Sequence, residues 1–395
     1  GEREVARNNV LVRAGGYCSG QANMEQPMKG YLCQPVDGAL ETVLMASPSR
    51  PIRTFTVPHA LKAEPQTDTD SRWRVNEPDA VAYASAVAYY FADCINESLD
   101  VPVGIIMSSW GGTQVQGWMS PESLASCGID TSHLGADKPD PTSPYAPGAM
   151  FNGMVAPLTP YTVKGMLWYQ GEANVYDPDL YERLMQAFVP DMRHCFGNAD
   201  MPFYYVQIAP HESVYADSPR LKGKAGDLRL VQARLMEQVP NVGMVVTVDL
   251  GERTNIHHRD KRTVGRRLAY WALVRDYGFY NDAKVSCTGP VYREMKVEDG
   301  VAYLYFDNCF GGVAPYGYEI DGFELAGDDG VWHDAVAKAD PSRSDGRVVR
   351  LSCSDVPHPV KARYAYGDYH PGTLTDIWGL PASPFVAEKG EPAQP

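Results

Sequence analysis

Short apolar runs alternate with amphipathic stretches from about residue 10 to residue 278. Four runs have the length of buried strands and end where polar or glycine-rich residues begin: 101–107, 163–169, 203–208 and 242–250. Between them, apolar side chains recur at helical spacing, in the groups Ala84, Ala88, Phe91 and Ile95; Tyr181, Leu184 and Phe188; Val264, Leu268 and Trp271. Strands that alternate with helices predict an α/β fold with a mainly parallel sheet.

The helical period disappears beyond about residue 282. Short alternating segments such as 302–306 and 347–351 are separated there by Gly, Asp and Pro turns. The pattern predicts an α/β domain over 1–281 and a β-rich C-terminal region over 282–395. Because residues 379–395 are rich in Pro, Ala and Gly, we expect the chain to end in a loose tail.

Composition and charge exclude several partners. The chain has 395 residues, of which 44% are apolar, enough for one large core or two moderate ones. Its formal charge of -14 repels nucleic-acid phosphates and gives no attraction to an anionic membrane. No stretch approaches the roughly 20 apolar residues of a membrane span. We therefore expect a soluble protein with no nucleic-acid partner and no membrane insertion.

The eight cysteines are scattered from Cys18 to Cys353. Their even number is compatible with up to four disulfides, and they are equally compatible with buried thiols. None has the short paired spacing of a zinc site, and His257, His258 and Asp260 lack a fourth ligand at suitable spacing. The sequence thus predicts neither a metal nor another cofactor.

Four loops share residue types suited to acyl transfer: 19–25 (SGQANME), 110–113 (WGGT), 168–174 (WYQGEAN) and 255–258 (NIHH). Ligands of open α/β sheets bind at the carboxyl ends of the strands, where such loops lie. Glycines let a backbone N–H approach an oxyanion, amide side chains can donate further hydrogen bonds, and a loop histidine can act as a general base. No single loop is specific by itself.

Together and in this order, the four loops resemble the sialate O-acetylesterase family of SGNH (GDSL-type) hydrolases. The first family block, Gly-Gln-Ser-Asn-Met, is matched at 20–24 except that Ala22 stands in place of serine. The second and third blocks match 110–113 and 168–174; the fourth, Ile-His-Pro with a following Lys and Gly-x-Arg-Leu-Ala, matches Ile256, His257, Lys261 and 265–269. The segments 322–327 and 379–385 are similar too. The resemblance implies a three-layer SGNH-hydrolase-like fold with the β-rich region appended.

The resemblance also implies an activity, the removal of acetyl groups from sugar hydroxyls of sialic acid or acetylated plant glycans. In it, a serine at position 22 would form the acyl-enzyme and His257 would be the general base. The oxyanion donors would be the backbone N–H groups of residue 22 and Gly112 and a side-chain amide, with Gln170 favoured over Asn174. We expect such a carbohydrate esterase to be secreted or periplasmic.

The acid that usually orients the histidine in this superfamily is absent from its expected position. Superfamily members often have an acid three residues before the histidine, and that position is Thr254. Either a backbone carbonyl or water orients His257, or an acid such as Asp249 or Glu252 reaches it from elsewhere in the loop.

Ala22 has no hydroxyl and cannot form an acyl-enzyme, so the chain is predicted to bind substrate without turning it over. Three explanations are open: a serine-to-alanine change made to trap a ligand, a natural glycan-binding relative that has lost catalysis, or Ser19 acting instead. An amide hydrolase on the same framework is a further rival.

The remaining candidate residues would contact the substrate or support the site. They are Gln21, Asn23, Trp110, Trp118, Glu172 and Arg253. The tryptophans could stack on sugar rings or belong to the core, as Trp168 is expected to do. Glu172, paired with Asn23, is expected to brace the nucleophile turn. Arg253 could pair with the carboxylate of a sialic acid, and His258 is expected to be a solvated loop residue.

Overall fold

A computed structural model describes residues 14–212, 218–279 and 286–391. Seven strands form the sheet of the α/β part: β1 (Ala14–Gly20), β2 (Ile52–Thr56), β3 (Arg74–Val75), β4 (Val103–Ser109), β5 (Gly165–Tyr169), β6 (Phe203–Val206) and β7 (Val242–Val245). Their order is β3-β2-β4-β1-β5-β6-β7. Strands β1 and β2 run parallel to β4, and the short β3 is antiparallel to β2. The predicted α/β fold with a mainly parallel sheet is confirmed.

The pairing of β1 with β4 brings two of the predicted site loops together. Gly20, the last residue of β1, lies opposite Ser109, the last residue of β4. The N–H of Trp110 then donates to the carbonyl of Gly20 over 3.1 Å. Parallel strands that end side by side deliver residues 21–25 and 110–113 to the same edge of the sheet.

The described residues form eight α-helices besides these strands: α1 (Ala22–Glu25), α2 (Ala39–Leu44), α3 (Pro78–Tyr83), α4 (Ala86–Leu99), α5 (Pro121–Ser126), α6 (Pro178–Cys195), α7 (Lys224–Gln238) and α8 (Lys261–Arg275). The three predicted helices correspond to α4, α6 and α8. Ala84 lies just outside α4, because the Ser85 hydroxyl accepts the N–H of Ala88 over 3.1 Å and caps the helix.

The C-terminal part is β-rich, as predicted, and the structure adds that its strands pair antiparallel. These are β8 (Val291–Glu298), β9 (Val301–Asp307), β10 (Val313–Ala314), β11 (Phe323–Ala326), β12 (Trp332–Asp334), β13 (Val336–Ala339), β14 (Val348–Ser352), β15 (Lys361–Tyr364), β16 (Thr375–Asp376) and β17 (Phe385–Glu388). They form two four-stranded sheets, β12-β11-β15-β17 and β13-β14-β9-β8, and the pair β10-β16.

The predicted loose tail is wrong for residues up to Glu388. Strand β17 pairs with β15 along its whole length, from Phe385 opposite Tyr364 to Glu388 opposite Lys361. The Phe385 ring stacks on Tyr292 with centroids 4.7 Å apart. Aromatic packing therefore holds this segment despite its Pro- and Ala-rich surroundings. Residues 392–395 lie outside the described residues.

The chain divides into two compact units. One comprises Gly1–Trp168, Pro190–Phe203 and Lys261–Ala269; the other comprises Tyr169–Val189, Tyr204–Asp260 and Tyr270–Pro395. The predicted domain boundary between residues 281 and 282 lies outside the described residues and stays a prediction. Over 14–212, 218–279 and 286–391, no helix has the length and apolarity needed to cross a bilayer.

All eight cysteines lie among the described residues, and all carry free thiols. Cys18, Cys94, Cys287 and Cys309 are buried. Of the two interpretations of the cysteine count, the structure supports thiols over disulfides.

Candidate functional site

The turn after β1 presents residue 22 in the first unit. Gln21 precedes α1, and its carbonyl accepts the N–H groups of Met24 and Glu25, each over 2.9 Å. Ala22 is the first residue of α1 and is 8% exposed. A methyl group placed on Gly111 would come within 3.3 Å of the Cβ of Ala22. The backbone of the second loop therefore lies directly against the position of the missing serine.

The backbone N–H groups of Ala22 and Gly112 are the two predicted backbone oxyanion donors. Within the described part of the chain, neither the N–H of Ala22 nor that of Gly112 donates to a protein acceptor. Gly112 has φ +75°, and a Cβ there would meet nothing within 4 Å. The backbone conformation thus favours glycine at 112, and the space beside it is open. The role of both groups as oxyanion donors stays a prediction.

The nucleophile turn also holds a side-chain network that the sequence did not reveal. The carboxylate of Glu25 accepts the N–H of Gly111 through Oε2 over 2.6 Å, and its Oε1 lies 2.6 Å from Nε2 of His59. The His59 ring stacks on Trp110, with centroids 4.1 Å apart and planes 5° from parallel. His59 therefore covers one face of Trp110, the candidate for stacking on a sugar. Glu25 stands within the first motif, whereas His59 belongs to no motif.

Asn23 meets a buried cation. Its Oδ1 accepts a hydrogen bond of 2.6 Å from Nζ of Lys261, and both residues are almost fully buried. Lys261 opens α8 and belongs to the fourth sequence block, so its place in the motif was the signal for this contact. The pairing of Asn23 with Glu172 stays a prediction.

Trp118 lies in the core, which is one of the two interpretations left open by the sequence. It is fully buried, its Nε1 donates to Oγ1 of Thr113 over 3.0 Å, and it packs edge-on against the equally buried Trp168. Thr113 in turn donates to the carbonyl of Trp110 over 2.7 Å. Trp118 thus stabilises the loop 110–113 from within the core and has no exposed ring face for a sugar.

Ser19 is not an alternative nucleophile in this structure. It is 0% exposed and lies within β1 opposite Ser108. A strand residue closed off on every side cannot reach an ester carbonyl, so the third explanation of Ala22 is wrong.

The amides of the third loop belong to the second unit. Nε2 of Gln170 donates to Oδ1 of Asn174 over 2.7 Å, and both residues are buried. Gly171, which follows Gln170, packs too closely for a side chain, because a methyl there would lie 2.7 Å from Cγ2 of Ile208. The contact engages one of the two amide hydrogens of Gln170. The preference for Gln170 over Asn174 as an oxyanion donor stays a prediction.

The histidine loop of the second unit is held by its own polar side chains. Asn255 accepts the N–H of His257 over 3.1 Å and donates to the carbonyl of His257 over 2.9 Å. Glu252 accepts the N–H of Arg259 over 2.8 Å. Thr254 is exposed. The carboxylate of Glu252 thus shapes the loop backbone, and an orienting role of Asp249, Glu252 or a backbone carbonyl toward His257 stays a prediction.

The expectation that His258 is solvated is wrong. His258 is fully buried, and its Nε2 lies 2.9 Å from Oη of Tyr169, at the end of β5. Burial raises the pKa of Tyr169 well above its usual value, so the hydroxyl keeps its proton and can donate to the imidazole. A hydrogen bond to a core tyrosine therefore replaces the solvent that we expected around this ring.

Arg253 already has partners in the second unit. Its guanidinium forms an ion pair with Glu212 and lies over the ring of Tyr369, 4.5 Å from the centroid. Binding of a substrate carboxylate by Arg253 would compete with Glu212, so this role stays a prediction. Among the described residues, no group of three or more His, Cys, Asp or Glu side chains could hold a metal ion.

Comparison with known proteins places the chain in a family. The family model of carbohydrate esterases described as sialic acid-specific acetylesterase matches residues 18–273. The chain belongs to this family. Members of the family with curated names include the human sialate O-acetylesterase, 30% identical over 322 residues, and the mouse enzyme, 28% identical over 354 residues. These alignments cover 73% and 76% of this chain.

A solved structure extends the likeness beyond the matched segment. A carbohydrate acetylesterase from Xanthomonas citri is 30% identical with a TM-score of 0.81, covering 95% of this chain and 80% of its own. The resemblance inferred from the four loops and the SGNH-type fold are thereby confirmed. The chain spans only 58% of the human relative and 63% of the mouse relative.

Proposed function

We propose that this member of the sialic acid-specific acetylesterase family has the framework of a serine carbohydrate O-acetylesterase, and that with Ala22 it binds acetylated carbohydrate without hydrolysing it. The observation that carries the proposal is the turn at residue 22. The backbone N–H groups of Ala22 and Gly112 have no acceptor within the described chain, and Gly111 packs against the Ala22 methyl. This is the environment that a nucleophilic serine needs.

The proposed reaction follows from serine–histidine chemistry. A serine at position 22 would attack the acetyl carbonyl while His257 takes its proton, and the oxyanion would accept the two N–H groups and an amide of Gln170 or Asn174. His257 would return the proton to the leaving sugar oxygen. Water would then add to the acetyl-enzyme, with His257 as base, and release acetate and the free serine.

The direct test restores the hydroxyl. We expect Ala22→Ser to release acetate from 4-nitrophenyl acetate and from acetylated glycans at least about 100-fold faster than the parent chain. Release of free acetate by a coupled assay measures the effect. An Ala22→Ser protein that still binds acetylated glycans but gains no hydrolysis would contradict the esterase framework and support the second candidate, a glycan-binding protein that has lost catalysis.

The base can be tested in the same background. We expect Ala22→Ser, His257→Ala to lose about 100-fold or more of the restored kcat, because general-base catalysis is worth that much. His258→Ala is not a neutral control, since that ring is buried. His194→Ala, at the end of α6, is the matched control and should keep the activity. Rates unchanged by His257→Ala would remove the assignment.

The substrate and the compartment belong to the same proposal. Acetylated sialic acids and acetylated plant glycans are both candidates, and a panel of the two distinguishes them by acetate release. A secreted or periplasmic location fits substrates of this kind, and fractionation of the native host with an antibody against the chain would test it.

A further inference from the structure

We propose that Glu25 is a positioning residue that fixes the Trp110–Gly112 loop against residue 22, and that His59 acts through Glu25. This inference rests on the proposed function, because it assigns a role within the same acyl-transfer site.

The Glu25 carboxylate lies between the nucleophile turn and the Trp110–Gly112 loop. Glu25 ends α1, the helix that Ala22 begins, so its backbone moves with the nucleophile position. Its two oxygens bind different elements: Oε2 accepts the N–H of Gly111 and Oε1 contacts Nε2 of His59, each over 2.6 Å. Charge-assisted hydrogen bonds of this length are strong. The carboxylate therefore joins the nucleophile turn to the oxyanion loop.

The loop that Glu25 contacts contains two residues with unusual backbone freedom. Gly111 and Gly112 are consecutive glycines, which resist a single conformation because they lack a Cβ. Of their two N–H groups, that of Gly111 is committed to Glu25 and that of Gly112 has no acceptor within the described chain. Holding the first peptide sets the direction of the second. Glu25 thus selects the conformation in which the Gly112 N–H is available beside residue 22.

The Glu25 side chain is itself held by His59. His59 lies flat on Trp110, and its Nε2 is also 3.2 Å from the carbonyl of Ser109, the last residue of β4. The side chain of Glu25 is 26% exposed and that of His59 is 41% exposed. The contact with His59 adds a second hydrogen bond to a carboxylate that water can partly reach. His59 at the same time covers Trp110, the first residue of the loop.

The same carboxylate has one further contact near the nucleophile turn. Oη of Tyr31 lies 3.5 Å from Oε2 of Glu25 and donates to the carbonyl of Ala22 over 3.2 Å. The side chains of Tyr31, Glu25 and His59 therefore link residue 22 to the Trp110–Gly112 loop.

The kinetic test uses the Ala22→Ser protein. Adding Glu25→Ala should lower kcat about 100-fold while KM changes less than about threefold, because misdirected donors cost transition-state binding. Glu25→Gln keeps an oxygen for the Gly111 N–H and should retain kcat within about tenfold. Likewise, His59→Gln should restore most of the kcat lost in His59→Ala, since its amide can donate to Glu25.

The matched control is Asp140→Ala. Asp140 also accepts both a cation and a backbone N–H, those of Lys62 and Ala63, but away from the loop. It should leave kcat unchanged. A Glu25→Ala protein with kcat within threefold of its parent, or with a loss confined to KM, would overturn the assignment.

A second measurement separates this inference from the proposed function. In the parent chain with Ala22, the Gly111 amide should give a strongly downfield proton resonance in a glycine-labelled NMR spectrum. Glu25→Ala should move it upfield and speed its exchange with solvent, and Asp140→Ala should do neither. An unmoved Gly111 resonance would overturn the positioning role whether or not Ala22→Ser is active. An inactive Ala22→Ser protein would contradict only the esterase proposal.

Discussion

The hydrogen bond between His258 and Tyr169 joins two polar groups that are both closed to water. Burial of a hydroxyl or imidazole costs free energy when no hydrogen bond within the protein replaces its hydrogen bonds to water. The two residues therefore stabilise the histidine loop only as a pair, and each depends on the other.

Removal of both partners is expected to cost less than the sum of the two single removals. His258→Leu and Tyr169→Phe should each lower the free energy of unfolding by about 1–3 kcal/mol, since each strands a buried polar group. The double variant should lose less than the sum of the two. Urea unfolding of the four proteins of this cycle gives the coupling energy, and strictly additive losses would show that the contact contributes nothing.

The features that the sequence could predict are local ones. Gly112 has the positive φ that favours glycine, and Ala22 follows β1 in the loop that carries the first motif. The catalytic roles of both residues stay predictions. The environment of His258 was predicted wrongly because its partner, Tyr169, is distant in the chain. His59 was not predicted at all, because its partner, Glu25, is distant as well. No pattern within a short loop encodes a contact with such a partner.

At the level of elements, the apolar runs of the sequence predicted which residues are buried better than they predicted where each strand ends. The run 203–208 was predicted as one strand, and 242–250 as another, but β6 ends at Val206 and β7 at Val245. Ile208 and Val248 are nevertheless fully buried. The chain stays inside the molecule after its ladder hydrogen bonds end, and hydrophobicity alone does not mark that point.

Helix α8 was predicted from its spacing, but its closeness to α4 depends on a single glycine. A methyl group on Gly265 would lie 2.6 Å from the carbonyl oxygen of Val87 and 2.7 Å from Cβ of Tyr90. Backbone atoms cannot yield as a side-chain tip does. The sequence motif Gly-x-Arg-Leu-Ala thus begins with the residue that sets the distance between these helices.

We expect Gly265→Ala to force the two helices apart and to lower the free energy of unfolding by about 1–3 kcal/mol. Chemical denaturation followed by circular dichroism measures the loss. Glu97→Ala is the matched control, because it removes the exposed pair of Arg266 and Glu97 from the same two helices. That pair should be worth less than about 1 kcal/mol. A Gly265→Ala protein as stable as the control would show that the helices can separate freely.

For the whole molecule, the formal charge of -14 argued against anionic partners but could not place individual charges. A cluster of charged side chains in the C-terminal β-rich region shows a local arrangement that the net charge does not reveal. Glu324 accepts two hydrogen bonds from Arg363, over 2.6 and 2.8 Å, and lies 3.4 Å from Nδ1 of His370. Opposite charges are thus concentrated between β11, β15 and the loop that follows β15.

This cluster makes the stability of the chain depend on pH in a definable direction. The hydrogen bond with Glu324 raises the pKa of His370, although burial opposes the shift. Burial alone would raise the pKa of Glu324, but hydrogen bonds from His370 and Arg363 hold it at about 2. The histidine therefore stabilises the fold fully below its ordinary pKa of about 6.5, and the carboxylate does so above its ordinary value of about 4.3. Their combined contribution is greatest between these two values.

Raising the pH through the elevated pKa of His370 deprotonates the ring and removes its share of this stability. We therefore expect the Tm of the parent chain to fall between pH 6 and pH 9, and the fall to be smaller in His370→Gln. Thermal unfolding across that range measures both. His333→Gln is the control, because the ring of His333 is 3.9 Å from its carboxylate neighbour, Asp355, and both are more exposed than the His370 pair. If His370→Gln loses as much Tm as the parent over the same range, the charge of His370 does not stabilise the fold.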